Sequence, residues 1–189
     1  MQLTITIEKT PGPRVSDHIL GHNIETALTT VDGLLSDRIR NSKFTGPPHP
    51  VTGLAPEWQG ASCGQGSYEL TPGAGLHGSE AQCIQLHRPH QRPMLHQNKI
   101  SLKRDEELEL EIWARAWVQP VTMQIELKPL ANRGEPYDTG IILIDSSYYK
   151  RYTLSLRAPR NDEEARLSCL LPEGGKLWID QIHLRPAGE

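Results

Sequence analysis

From residue 61 to residue 185 the chain is a succession of short stretches in which apolar and polar residues alternate, each closed by a turn signal. Alternation with a period of two marks a strand with one buried face, because successive side chains of an extended backbone leave on opposite sides. The stretches fall near 65–70, 81–87, 93–100, 106–118, 120–128, 139–144, 149–157, 163–171 and 176–185. Between them stand Pro72-Gly73, Arg88-Pro89, Arg104-Asp105, Asn132-Arg133-Gly134, Asn161-Asp162 and Glu173-Gly174-Gly175, all turn-forming combinations. No helical periodicity separates the strands. Such a series predicts an all-β fold, a β-sandwich or barrel.

The alternation assigns faces. Over 106–118, Leu108, Leu110, Ile112, Ala114 and Ala116 point one way, and Glu107, Glu109, Glu111, Trp113, Arg115 and Trp117 the other. The next strand sends Val121, Met123, Ile125 and Leu127 inward and Thr122, Gln124 and Glu126 outward. Tyr152, Leu154 and Leu156, then Leu167, Cys169 and Leu171, complete the predicted interior, and Trp178 among Leu177, Ile179 and Ile182 reads as core.

The first sixty residues differ in texture. Leu3, Ile5 and Ile7 alternate as a strand that Pro11-Gly12-Pro13 breaks, and His18 to Glu25 is a second short apolar stretch. Asp32-Gly33 reads as a turn, 34–39 as one to two helical turns, and Thr45-Gly46-Pro47-Pro48-His49-Pro50 as loop. The chain is therefore divided into a short mixed N-terminal segment, 1–60, and a β-sandwich, 61–189.

Charge and motifs narrow the function. Lys and Arg number 20 against 23 Asp and Glu, a formal charge of −3, which gives no electrostatic case for nucleic acid or an anionic membrane. No apolar run approaches the ~18 residues of a membrane span. The start lacks a basic n-region and an apolar h-region, so the chain reads as cytoplasmic, or as secreted if a signal peptide was trimmed. Cys63, Cys83 and Cys169 are odd in number and widely spaced, which suits buried small hydrophobes rather than a disulfide framework or zinc site. Neither a Gly-x-Ser-x-Gly elbow nor a phosphate-binding Gly-x-x-x-x-Gly-Lys-Ser/Thr loop is present.

What remains is the outer face. Trp113 and Trp117 share a side, roughly 13 Å apart at ~3.3 Å per residue, with Arg115 between them. Gln124, Glu126, Gln85 and His87 take outward positions on other strands. Flat aromatics with amides and a few charges suit a sugar: ring C–H groups stack on the indole and hydroxyls bond the planar polar groups. The competing structural interpretation is that a loop or neighbouring domain covers the indoles. Asp180 is a candidate ligand of a structural calcium, no other cofactor being implied, and His87-x-x-His90 could bring two imidazoles to a metal. A stand-alone lyase or hydrolase would need an acid and base in one cleft, such as His87 or His96 with Tyr68 or Glu126.

Several segments resemble a known family. Gly78-Ser79-Glu80-Ala81-Gln82-Cys83-Ile84-Gln85-Leu86, the Gln97-bearing strand Met94–Ile100, Tyr149-Lys150-Arg151-Tyr152 and the closing Leu177-Trp178-Ile179-Asp180 through Leu184-Arg185-Pro186 are similar to family 4/9 carbohydrate-binding modules, which are jelly-roll β-sandwiches. That resemblance covers about 110 residues and places Gln97 among the sugar-contacting side chains. Further upstream, Ile19-Leu20-Gly21-His22-Asn23-Ile24-Glu25 and the run from Gly33 to Phe44, with Arg40-Asn41-x-x-Phe44, resemble the opening of family 51-type α-L-arabinofuranosidases. There Glu25 matches a glutamate that helps bind sugar, and a 4/9-type module follows at this point in some members. The family's catalytic Asn-Glu pair is absent from this sequence, and an eightfold barrel needs about 200 residues or more. The resemblance thus implies a non-catalytic carbohydrate-binding portion of a glycoside hydrolase, holding arabinoxylan, arabinan or another hemicellulose. The alternative is a module that only braces a catalytic barrel, a domain or a separate chain, without binding sugar itself.

Overall fold

The computed structural model describes residues 37–60, 68–85, 93–118, 120–130 and 134–188. Ten strands run through them: β1 (Gln59–Gly60), β2 (Tyr68–Thr71), β3 (Ala81–Gln85), β4 (Met94–Leu102), β5 (Glu107–Ala116), β6 (Val121–Lys128), β7 (Asp138–Ile144), β8 (Lys150–Arg157), β9 (Asp162–Leu170) and β10 (Lys176–Pro186). A single 3₁₀ turn, Leu76–Gly78, lies between β2 and β3, and the described residues form no α-helix. Two five-stranded sheets result, one ordered β1-β4-β9-β6-β7 and the other β2-β3-β10-β5-β8, with every pairing antiparallel. They are called the first and second sheet below. This is the jelly-roll-type sandwich that the alternation and the resemblance predict.

Strand ends agree with the sequence pattern because the pattern and the pleat have the same period. Leu108, Leu110, Ile112, Ala114 and Ala116 of β5 meet Val121, Met123, Ile125 and Leu127 of β6 in one core, joined by Leu167 and Cys169 of β9 and by Leu177, Ile179, Ile182 and Leu184 of β10. At ~25 cal/mol per Å² of apolar surface removed from water, this shared interior is the main stabilising term. Trp178 is buried as expected, but in a cluster apart from the main core. Its neighbours Leu177 and Ile179 face the core, so Trp178 itself faces out, in a satellite cluster with Ala81 and Cys83 under Ala74 and Tyr149. A large indole flanked by aliphatics in a strand belongs to the opposite face by parity alone.

Residues 37–60, on the N-terminal side of the expected division at 60, contribute Ile39, Phe44, Leu54, Ala55 and Trp58 to the same core. Phe44 and Trp58 stack with ring centroids 5.0 Å apart. Residues 37–39 form no helix; the rest of the expected helical turn and the strands expected near residues 3–7 and 18–25 lie outside the described residues. The reason is visible in β10. Strand β3 pairs only with Lys176 to Ile179, where a register shift precedes Gln181. Beyond it, 37–42 takes over that edge: Arg38 N–H donates to Leu184 O (2.8 Å), Leu184 N–H to Asp37 Oδ1 (3.1 Å) and Ile182 N–H to Ser42 O (3.0 Å).

Two fully buried glutamines fasten this segment. Gln97 accepts from Arg40 N–H and donates to Arg40 O, each at 2.8 Å. Gln82 accepts from Ala55 N–H (2.9 Å) and donates towards Gly53 O (3.3 Å). A side-chain amide here does the work of a strand partner. Replacing Gln97 by Leu strands a buried N–H and a C=O at ~1–3 kcal/mol each. Urea unfolding should show a loss of about 2–4 kcal/mol for Gln97→Leu, against about 0.5 kcal/mol or less for the half-buried Gln85→Ala.

Candidate functional site

The residues expected to form one platform are distributed over two opposite faces. On the outer face of the second sheet, Trp113 and Arg115 project from β5 and Gln85 from β3, opposite the inward Leu108–Ala116 row. Gln124 and Glu126 project from β6, on the outer face of the first sheet. They bond each other, Gln124 Nε2 donating to Glu126 Oε1 at 3.1 Å, while Lys128 Nζ reaches Glu126 Oε2 at 2.7 Å. Gln97 is at neither surface, being buried against Arg40. Parity gives the face of a residue within its own sheet; it does not say to which of two sheets a strand belongs. Glu25 and His87, with His90, lie outside the described residues.

Asp180 is buried, and its carboxylate accepts from Leu76 N–H (3.1 Å) and Ser79 Oγ–H (2.9 Å). A ring of donors suits a carboxylate that pins the 3₁₀ turn to β10; a calcium shell is built of oxygen acceptors. Among the described residues no three His, Cys, Asp or Glu side chains converge on a metal-sized point.

The second sheet carries a continuous ladder of rings and cations. Antiparallel pairing sets Trp178 between Arg115 of β5 and Cys83 of β3. The Arg115 guanidinium lies 4.2 Å from the Trp178 ring centroid and 5.4 Å from that of Tyr149, whose hydroxyl donates to Ala74 O at 2.8 Å. On Trp178 also rests the Lys176 ammonium, 4.8 Å away and 5.4 Å from Trp117. The Trp117 and Trp178 rings meet at 5.3 Å, tilted by 50°. Trp117 N–H donates to Lys176 O, extending the β5–β10 pairing by one residue and fixing where the indole emerges. Trp117 is 58 % exposed and Trp178 only 5 %. Trp113 is half-buried, its Nε1–H donating to Glu111 at 2.9 Å. Tyr149 and Lys176 were missed in the sequence; Lys176 had a signal, being two residues before Trp178 on the same face.

Beside Trp117 opens a pocket of about 420 Å³, lined by Trp117, Pro120, Thr122, Glu173, Gly175 and Lys176 among others. It sits where the β5–β6 and β9–β10 turns meet at one end of the sandwich. Gly175 has φ +112°, and a Cβ there would stand 2.6 Å from Val121 Cγ2. The turn can therefore close down on β6 only with glycine at that position.

The outer face of the first sheet carries a second polar group. His96 is 7 % exposed, its Nε2 3.2 Å from Gln59 Oε1, which also accepts from Asn98 Nδ2 at 3.1 Å. His96 Nδ1 and the Ser168 hydroxyl, cross-strand neighbours, are buried without a hydrogen-bond partner. Burial first, then the charges of Arg166 and Lys128, push the His96 pKa down to about 4. Of the acid–base partners expected for His96, Glu126 pairs with Lys128, and Tyr68 is buried with its hydroxyl donating to Met94 O at 2.9 Å.

No family model and no curated protein sequence matches the chain. Solved structures match the fold. The structure reported as "CBM4 structure and function" has a TM-score of 0.57 at 18 % identity, over 78 % of this chain and 99 % of that one. An arabinose-bound α-L-arabinofuranosidase, MgGH51, reaches 0.60 at 12 % identity over 83 % of this chain, which spans 27 % of the enzyme. The CBM22-1 xylan-binding domain of Paenibacillus barcinonensis Xyn10C reaches 0.55 at 9 % identity, over 74 % and 91 %. At these identities the likeness is one of fold: this chain has the β-sandwich of carbohydrate-binding modules.

The buried imidazole makes stability pH-dependent. Its folded pKa is below the ~6.5 of the unfolded chain, so the unfolded state binds the extra proton. Stability is complete above pH ~6.5 and falls as pH drops towards 4, by about 3 kcal/mol at most. Urea titrations across that window should show the slope in the native chain and a flatter line in His96→Gln.

Proposed function

We propose that the chain is a non-catalytic carbohydrate-binding portion of a glycoside hydrolase, and that it holds plant polysaccharide at the Trp117 pocket. The observation that carries this is an indole 58 % exposed at the wall of a 420 Å³ pocket, on a fold shared with carbohydrate-binding modules. Trp117 offers a flat apolar wall for the C–H face of a sugar ring. Thr122, Glu173 and Lys176 supply hydroxyl, carboxylate and ammonium groups for its oxygens. The wall is rigid because the Trp117 ring leans on Trp178, which is buried.

Hydrolysis needs two carboxylates set about 5–9.5 Å apart across the scissile bond. Glu173 is the one carboxylate among the described residues lining the pocket. In this proposal catalysis belongs to a barrel outside the sandwich, and the ligand is arabinoxylan, arabinan or another hemicellulose. One stacked ring contributes roughly 1 kcal/mol beyond its area. Single-site affinity therefore belongs in the micromolar to millimolar range unless several sugars or sites engage together.

A second reading has its own observation. Ile141 and Leu143 of edge strand β7 are 70 % and 55 % exposed on the outer face of the first sheet. Cross-strand pairing sets Ile141, Gln124, Leu170 and Met94 in one row. Exposed aliphatics on an edge strand mark a surface that another domain covers. By this reading the sandwich braces the catalytic barrel through the first sheet.

Affinity electrophoresis on soluble arabinoxylan and arabinan separates the two. The native chain should be retarded, Trp117→Ala should lose at least tenfold in affinity, and Trp113→Ala should lose less because its indole is half-buried and tied to Glu111. Equal mobility of the native chain with and without polysaccharide would end the binding proposal and leave the bracing role.

A further inference from the structure

We propose that the Trp117 pocket takes an acidic sugar, a uronate carried on the polysaccharide, and that Lys176 is the residue that binds its carboxylate. This rests on the carbohydrate-binding reading above and names the ligand class for the same pocket.

The argument starts from how this chain disposes of its cations. Arg38, Arg40, Lys128, Lys150, Arg151 and Arg157 each stand within 4 Å of a carboxylate. No ion pair joins Lys176 or Arg115 to a carboxylate among the described residues; the same holds for Lys99, Lys103, Arg104 and Arg160, but Lys176 and Arg115 alone of these stand over one indole, Trp178. An aromatic face attracts a cation through its quadrupole, but carries no charge to cancel it. Two like charges sharing one ring leave a local positive field, in a chain whose overall charge is −3.

The nearby acids are placed so that this field survives. Asp180 is spent on Leu76 N–H and Ser79. Glu69 is exposed on edge strand β2, with β3 between it and β10. Glu173 lines the same pocket, and its carboxylate faces Thr122 Oγ1 at 3.5 Å. The pocket is therefore bipolar. Its Glu173 and Thr122 side is suited to sugar hydroxyls, and its Lys176 side to an anion.

A neutral pentose would use the indole and the first side and leave the ammonium idle. A uronate would use all three, its ring on Trp117, its hydroxyls on Glu173 and Thr122 and its carboxylate on Lys176. The buried Trp178 beneath Lys176 keeps water from one flank of the ammonium, which weakens screening there. The volume of about 420 Å³ lies within the ~300–1,000 Å³ of small-ligand sites.

Calorimetric titration of the full chain with xylohexaose, and with the same oligosaccharide bearing one 4-O-methylglucuronic acid, tests this. The acidic probe should bind about tenfold tighter, ~1.4 kcal/mol, at low salt, and the preference should shrink at high salt. Lys176→Gln should bring the ratio of the two affinities to about one, and Lys176→Arg should keep it above one. Lys103→Gln, an exposed lysine at the other end of β5, should leave the ratio as in the native chain. Binding of both probes with a ratio of one, or a ratio that Lys176→Gln does not change, overturns the acidic-sugar assignment and leaves the carbohydrate reading standing. If neither probe binds, the acidic-sugar assignment falls, and the electrophoresis on arabinan decides the carbohydrate reading. Should Lys176→Gln fail to fold, the salt dependence of the ratio in the native chain decides the matter.

Discussion

A buried backbone amide without a partner costs as much as a lost hydrogen bond, and a loop lying on a sandwich has no strand beside it to supply one. Here two glutamine side chains do so. Gln97 grips both polar groups of Arg40, and Gln82 bonds Ala55 and Gly53, each from a fully buried position. Once 37–60 is fastened, Phe44, Leu54 and Trp58 close the core and 37–42 covers the half of β10 that β3 does not reach. The outer surface of the second sheet is then free to be a surface, because β10, its central strand, is bonded along both edges.

Much of the architecture is legible in the residues, and what escapes has definite causes. Strand positions and the inward row of β5 follow from period-two alternation, since the pleat has that period everywhere. Trp178 is buried as its apolar neighbours suggest, but parity between Leu177 and Ile179 places it in the outer satellite cluster with Ala81 and Cys83. The single platform failed for another reason: Gln124 and Trp113 both point outward, but β6 and β5 belong to different sheets, and pairing between distant strands leaves no mark in local sequence. Gln97 shows the limit most clearly. An amide in a strand looks alike whether it faces a sugar or a buried backbone, and only the residue 57 positions away tells which.

The aromatic ladder links fold to chemistry. Arg115 comes from β5, Lys176 and Trp178 from β10, Trp117 from just past the end of β5 and Tyr149 from just before β8, and the antiparallel register of β5 with β10 sets Arg115 beside Trp178. Trp178, hidden, gives Trp117 a fixed backing and holds two cations near it. A ring already ordered in this way loses little conformational freedom in any contact made on its exposed face.

Both open sides of the sandwich are pinched over a glycine. A Cβ on Gly140 of β7 would stand 2.4 Å from Leu154 of β8, and one on Gly60 of β1 would stand 2.5 Å from the Tyr68 ring of β2. At those two points the outermost strands leave no room for a methyl group unless the Leu154 or Tyr68 side chain moves. The β9–β10 turn is under the same constraint at Gly175, against Val121. Substitution at any of these three glycines therefore acts first on how the layers and turns pack against one another.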